Sequence, residues 1–289
     1  GPGVIGVAAF QINILATYCI GFFVGENVVA SYGYAVRLLE FPQGLFAVSM
    51  ATFLLPALSG LAAEKQFGKF RNNIDEAARH LLFLNLPAAA LLFVLAEPIV
   101  QLLFQYGAFT QESTERAAWA LRCLAPALPG YSLVLILARA FHALGDIKTP
   151  VKISIFCLIL NLALALILVF QFEPNLRQGA FGIANTISST MNAALLWRAI
   201  RNREELMPIA LPGLRKQLPV MLGLTLVMGC FVCGISAGLK IPDTGVGSRV
   251  LKVFFPALIA AVYYWILSTW AGLDSVKALA GILRFTKRN

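Results

Sequence analysis

Long apolar runs broken by short charged clusters make up almost the entire chain. A helix needs roughly 20 apolar residues to cross a bilayer core of about 30 Å. By that ruler the pattern predicts membrane spans at 4–24, 31–60, 80–104, 117–142, 150–171, 179–200, 216–239 and 250–272. The second run is longer than a perpendicular crossing needs. It carries Pro42 and Pro56, each of which removes a backbone donor and crowds the turn before it, so this span is expected to bend. Two connections are longer than the rest. In 62–79 apolar residues sit beside charges, as expected of an interfacial amphipathic helix. Segment 201–215 holds two prolines and a glycine and reads as a linker, dividing a six-helix unit at 1–200 from a final pair at 216–289. The predicted fold is therefore all-α, a polytopic transmembrane bundle of about eight helices.

Composition agrees with that class. Hydrophobic residues form 59% of the 289 positions and charged ones 13%, with mean hydropathy +0.78. A water-soluble domain carries about twice that share of charge. The net charge of +9 would in a soluble protein suggest a nucleic-acid partner, but here the basic residues fall between apolar runs. If the loops alternate sides, one side receives four basic residues in 65–79, three in 139–152, five in 198–216 and four in 277–288. The other side receives six, and the remaining one, Arg37, lies inside a span. Lys and Arg concentrate on the cytoplasmic side of membrane proteins, which places both ends of this chain there. The opening GPGVIGVAAF lacks a Met and is expected to be an internal cut, with an N-terminal portion preceding it.

Candidate chemistry is sparse. Five cysteines, Cys19, Cys123, Cys157, Cys230 and Cys233, lie in or beside apolar segments and are expected to pack as small hydrophobes. The C-x-x-C at 230–233 has no second pair and no nearby His, so no metal site is expected. No Ser/His/Asp set, carboxylate pair or phosphate-binding Gly-rich loop is present, which argues against an enzyme, a nucleotide cofactor or an ATP-driven pump.

Ionisable groups inside spans are costly and are therefore candidate sites. Arg37, in YAVRLLEFPQG, is the foremost, with Glu40 one turn on and able to share its face. Either Arg37 snorkels outward or is neutralised by Glu40 as a structural pair, or its planar guanidinium receives an anion such as a phosphate or pyrophosphate. Gln11, Asn13, Asn85 and Asn161 either line a pathway with them or hydrogen-bond neighbouring helices. The small polar stretch Asn185–Asn192 is expected to serve close helix packing.

Three blocks carry a family resemblance. YAVRLLEFPQGLFAVSMATFLLPALS at 34–59, LLFQYGAFT at 102–110 and GDIKTPVKIS at 145–154 resemble, in order, signatures of the MurJ (MviN) lipid II flippases. These belong to the multidrug/oligosaccharidyl-lipid/polysaccharide exporter superfamily, and the similarity runs across essentially the whole chain. The resemblance implies helices seven to fourteen of a fourteen-helix protein in the bacterial inner membrane: a C-terminal six-helix lobe plus two helices that form a groove for a lipid tail. Its partner would be an N-terminal lobe of the same protein, and the cargo lipid II, the undecaprenyl-pyrophosphate-linked disaccharide pentapeptide. It also implies that Arg37 is a cavity arginine holding the pyrophosphate, while Glu40 shapes the helix. Two positions depart from the pattern. Val36 stands where relatives commonly carry an acid, and Asn161 is followed by Ala165 where a sodium-binding member has Asp. A sodium site of that kind is incomplete here, leaving membrane potential or protons to drive transport. The competing expectations are an exporter of another lipid-linked oligosaccharide and a non-transporting scaffold of the same fold.

Overall fold

The computed structural model describes residues 15–203, 212–238, 241–242 and 245–277. Gln11, Asn13 and segment 204–211 lie outside the described residues, so two of the candidate polar positions and most of the predicted linker do too. Eleven α-helices are described: α1 (Leu15–Val24), α2 (Glu26–Pro42), α3 (Ser49–Ala63), α4 (Phe67–Val94), α5 (Ala96–Phe104), α6 (Gln111–Leu124), α7 (Ala127–Ala143), α8 (Lys148–Gln171), α9 (Gln178–Arg201), α10 (Pro212–Gly238) and α11 (Val246–Trp270). No strand occurs among the described residues. In lipid the backbone cannot turn to water for partners, so helices that satisfy their own donors are the economical solution.

The long second span forms as a single rod, Asn27–Ala63, and Pro42 marks its irregularity. A π-helical turn, Gln43–Val48, follows immediately and joins α2 to α3. Proline removes a donor from the helical ladder, and a widened turn is one way to restore pairing around the gap. Pro56, by contrast, lies inside regular α3.

Two expectations are corrected. Segment 62–79 is not a separate interfacial helix. The chain reverses at Glu64–Gln66, where Lys65 takes φ 56°, and from Phe67 the helix runs without interruption into the span. The span expected at 117–142 is two helices, α6 and α7, bent by 46° at Ala125–Pro126, because proline cannot continue the hydrogen-bond ladder of α6. Five helices are long and apolar enough to cross a membrane, six with the bent pair. Helix α9 has the length, 24 residues, but the stretch around Asn185–Asn192 lowers its hydropathy. Only Leu15–Val24 of the first expected span is described.

Small residues set the helix spacing. A Cβ built on Gly182 of α9 would stand 2.7 Å from the Cys123 Cβ and 2.8 Å from α6 backbone, so α6 and α9 meet backbone to backbone. Gly130 of α7 is similar, with Ser189 backbone 3.0 Å from the added carbon. Without a hydrophobic driving force between helices in lipid, such close approach supplies the dispersion contact that holds them. Asn85 is fully buried and donates to Ser132 Oγ at 3.0 Å, which in turn donates to the Leu128 carbonyl. Asn85 thus joins α4 to α7.

The last two helices attach at defined points. Helix α10 lies along α4 and α11. At its start, Leu214 N–H donates to Asp75 Oδ1 at 2.9 Å, and Asp75 Oδ2 forms an ion pair with Arg79, 3.0 Å from its Nε. Arg79 reaches on to Asp274 at 2.7 Å, which accepts from Gln217 at the same distance. This clasp ties α4, α10 and the segment after α11 together at one end of the bundle. At the other, Arg249 donates to the Gln105 carbonyl and lies over the Tyr106 ring. The cysteines form no disulfide: Cys157 is buried as expected, but Cys19, Cys230 and Cys233 are exposed on helix surfaces.

Candidate functional site

Helix α2 buries a stripe of Val28, Tyr32, Ala35 and Leu39 against the bundle. These positions recur at helical spacing and define the packed face. At 100° per residue, Arg37 falls on the opposite side of the helix, and its side chain is exposed. Arg37 lies ten residues into the span Asn27–Ala63, about 15 Å of rise from its start. A guanidinium at that depth costs too much to face hydrocarbon, so this face of α2 belongs to a wet or protein-lined space.

Glu40 is also exposed, one turn further on. Among the described residues Arg37 and Glu40 form no ion pair with each other or with any other group. The mutual-neutralisation expectation therefore fails, and both charges remain available. Glu40 edges a cavity of about 400 Å³ between α1, α2 and the π turn, with Thr17, Tyr18, Val36 and Gln43 around it.

The floor of that cavity is polar. Tyr131 of α7 donates to Asn185 Oδ1 at 2.6 Å, and Asn185 Nδ2 donates to Tyr32 Oη at 2.8 Å and to the Phe181 carbonyl at 2.9 Å. One asparagine thus joins α2, α7 and α9 beneath the space that Glu40 borders. Fully paired, such a network fixes helix positions, and a half-satisfied one would be costly. Tyr32, Tyr131 and the lining role of Asn185 were missed in the sequence. The available signal was a set of tyrosines inside apolar runs, whose hydroxyls need partners when buried.

Asn161 is not brought to this cavity. It is buried at 3% exposure and donates to Ser188 Oγ at 3.0 Å, between α8 and α9. Of the named polar candidates, Arg37 and Glu40 therefore share one side of α2, Asn161 serves a helix contact, and Gln11 and Asn13 lie outside the described residues. Among the described residues no cluster of three His, Cys, Asp or Glu could hold a metal ion. Arg37 is thus an exposed cation on α2 that does not line this cavity, whose walls are mostly apolar above the polar floor.

The family model for the lipid II flippase MurJ matches residues 1–269. The chain belongs to the MurJ family. Relatives in that family include a probable lipid II flippase MurJ of Vibrio cholerae, 33% identical over 199 residues, covering 69% of this chain and 37% of the relative. The Bdellovibrio bacteriovorus MurJ is 29% identical over 281 residues, covering 96% of this chain and 52% of its own. A Burkholderia cenocepacia protein named lipid II flippase MurJ is 31% identical over 227 residues, covering 78% and 43%. This chain thus spans about half, or less, of the length of these MurJ relatives. Among solved structures, a lipid II flippase MurJ in an inward closed conformation superposes with TM-score 0.71 at 21% identity, over 90% of this chain and 52% of that one. That likeness establishes the MurJ fold, an all-α polytopic bundle in the membrane.

Proposed function

We propose that this chain is the C-terminal portion of a lipid II flippase, and that Arg37 binds the pyrophosphate of the lipid-linked peptidoglycan precursor. The observation that carries the reading is the placement of Arg37. It is exposed within the span Asn27–Ala63, on the face of α2 turned away from its own bundle, with no carboxylate partner among the described residues. An unpaired, permanently charged fork there matches a bidentate oxyanion better than a cationic or neutral cargo. The family match to residues 1–269 supplies the substrate class.

In this reading the remaining length of the relatives corresponds to an N-terminal lobe, which closes the space facing Arg37. The two lobes rock about a site near the midplane, exposing it first to the cytoplasmic leaflet and then to the outer one. The headgroup crosses inside the cavity while the polyprenyl tail remains in lipid along α10 and α11. The protein is a transporter of the bacterial inner membrane and catalyses no covalent step. Both ends of this segment lie in the cytoplasm, following the loop charge bias. An inside-negative potential helps return a cationic cavity to the inner side, at about 2.3 kcal/mol per charge per 100 mV.

The test is complementation. Full-length protein carrying Arg37→Ala is expected to fail to support growth of cells depleted of their own flippase, at wild-type membrane levels. Arg37→Lys, which keeps the charge and loses the fork, is expected to rescue in part. Full rescue by Arg37→Ala would remove the pyrophosphate-binding role and favour a scaffold.

A further inference from the structure

A separate pocket of about 470 Å³ opens where α2 begins, between its first turns, the end of α5 and the start of α6. One wall is aromatic. Tyr34 packs against Phe104 with 4.7 Å between ring centroids and meets Phe109 edge-on at 5.1 Å. The loop that carries Phe109 turns at Gly107, where φ is 59°, and Thr110 then caps α6 by accepting from Ser113 N–H. Arg249 of α11 holds the same loop, donating to the Gln105 carbonyl and lying over the Tyr106 ring. The pocket is therefore preformed, with its wall tied to a second helix.

The polar groups that line it are neutral or neutralised. Asn27, Ser31 and Tyr34 recur at helical spacing on α2, and their side chains make no hydrogen bond among the described residues. Arg116 lines the pocket too, but Glu112 answers its charge at 2.5 Å. An ion would find little unanswered charge here. Open hydroxyl and amide groups converging beside aromatic rings suit a ligand with many neutral hydroxyls and apolar C–H faces. A pyranose sugar has both.

Position links the pocket to Arg37. Ala30, exposed at its edge, lies seven residues from Arg37, two turns of α2, so both stand on one side of the helix. The rise between them is about 10 Å, and a sugar in the pocket and a phosphate on Arg37 can belong to one molecule. The loops at this end carry the minority of the basic residues, which assigns the pocket to the outer side of the membrane.

We infer that this pocket is a saccharide site at the outer end of the path, taking a hexose ring of the headgroup as it leaves Arg37. That the sugar belongs to a transported headgroup rests on the flippase reading, whereas the sugar chemistry of the pocket does not.

Saturation-transfer NMR on the full-length protein in nanodiscs, with diacetylchitobiose as the probe, tests the site. The wild type is expected to transfer saturation to the ring and acetyl protons, and excess pyrophosphate is expected to leave that signal in place. Ala30→Trp fills the pocket from an exposed position and is expected to abolish the signal. Tyr34→Phe keeps the ring packing and removes only a hydroxyl, so it is expected to weaken sugar binding roughly fivefold with unchanged thermal unfolding. No transfer with the wild type, undiminished transfer in Ala30→Trp, or displacement by pyrophosphate would overturn the site, whatever Arg37→Ala does to growth. In cells depleted of their flippase, Ala30→Trp at wild-type membrane levels is expected to slow growth. Full rescue by a variant that has lost the sugar would overturn the pocket's place on the transport path.

Discussion

The cavity that Glu40 edges and the groove beside α10, where it faces α7 and α9, are both concave, both bordered by charge, and both built from helices that look alike in hydropathy. They differ in where the charge sits along the membrane normal and in what lies beneath it. Arg37 stands inside a span, and the cavity edged by nearby Glu40 has a hydrogen-bonded floor of Tyr32, Asn185 and Tyr131. Beside α10 the charges, Arg201 and Arg215, stand at the end of the spans and the walls are leucine, proline and tryptophan. Depth decides cost: an arginine at the headgroup level is nearly free, whereas one at the midplane persists only where water, protein or an anion meets it.

The sharpest way to break that contrast is Arg37→Ala, expected to abolish rescue, against Arg201→Gln, expected to leave growth at standard temperature close to wild type. If the two variants behaved alike in a depletion assay, the depth of the charge would carry no functional meaning. Next in size is the clasp that holds the groove's third wall. Asp75→Ala leaves Arg79 largely buried with one partner fewer and the Leu214 N–H unanswered, and is expected to cost about 2–3 kcal/mol. Thermal unfolding in detergent would show it, and limited proteolysis should cut first near α10. Asn185→Leu removes the hub of the cavity floor while keeping volume similar. It should lower stability by about 1–3 kcal/mol, because two tyrosine hydroxyls lose their partner. Rescue should weaken but not vanish. Smallest of all, Asn161→Ser shortens the donor to Ser188 between α8 and α9 and is expected to cost about 1 kcal/mol with no change in rescue. A transport defect with normal stability would move Asn161 from packing into the pathway.

Much of the helical plan was legible because lipid imposes one ruler on every span. Spans read at 150–171, 179–200 and 250–272 differ by only a few residues from Lys148–Gln171, Gln178–Arg201 and Val246–Trp270. The misses have local causes. Apolar runs continue through Pro126, so the 46° bend between α6 and α7 was invisible to hydropathy. The charges of 67–79 suggested a surface helix, yet Phe70, Ile74 and Asp75 are buried because this stretch packs within the bundle as part of α4. Arg37 was legible as a candidate because an ionisable group inside a span is costly. The polar floor was not, since Tyr32, Tyr131 and Asn185 are 153 residues apart at the extremes and meet only through packing.

By itself the sequence determined the helical class and the apolar character of the spans, since both follow from the transfer free energy of short stretches into lipid. Tertiary structure alone decided which side of α2 carries Arg37, that Glu40 does not neutralise it, and that Asn161 packs while Asn185 lines a cavity. It alone also left a gap beside α10. Those outcomes depend on close approaches such as Gly182 against Cys123, which fix helix rotation and spacing to a fraction of an ångström. No hydropathy pattern encodes rotation that finely, because lipid treats every apolar face of a helix alike.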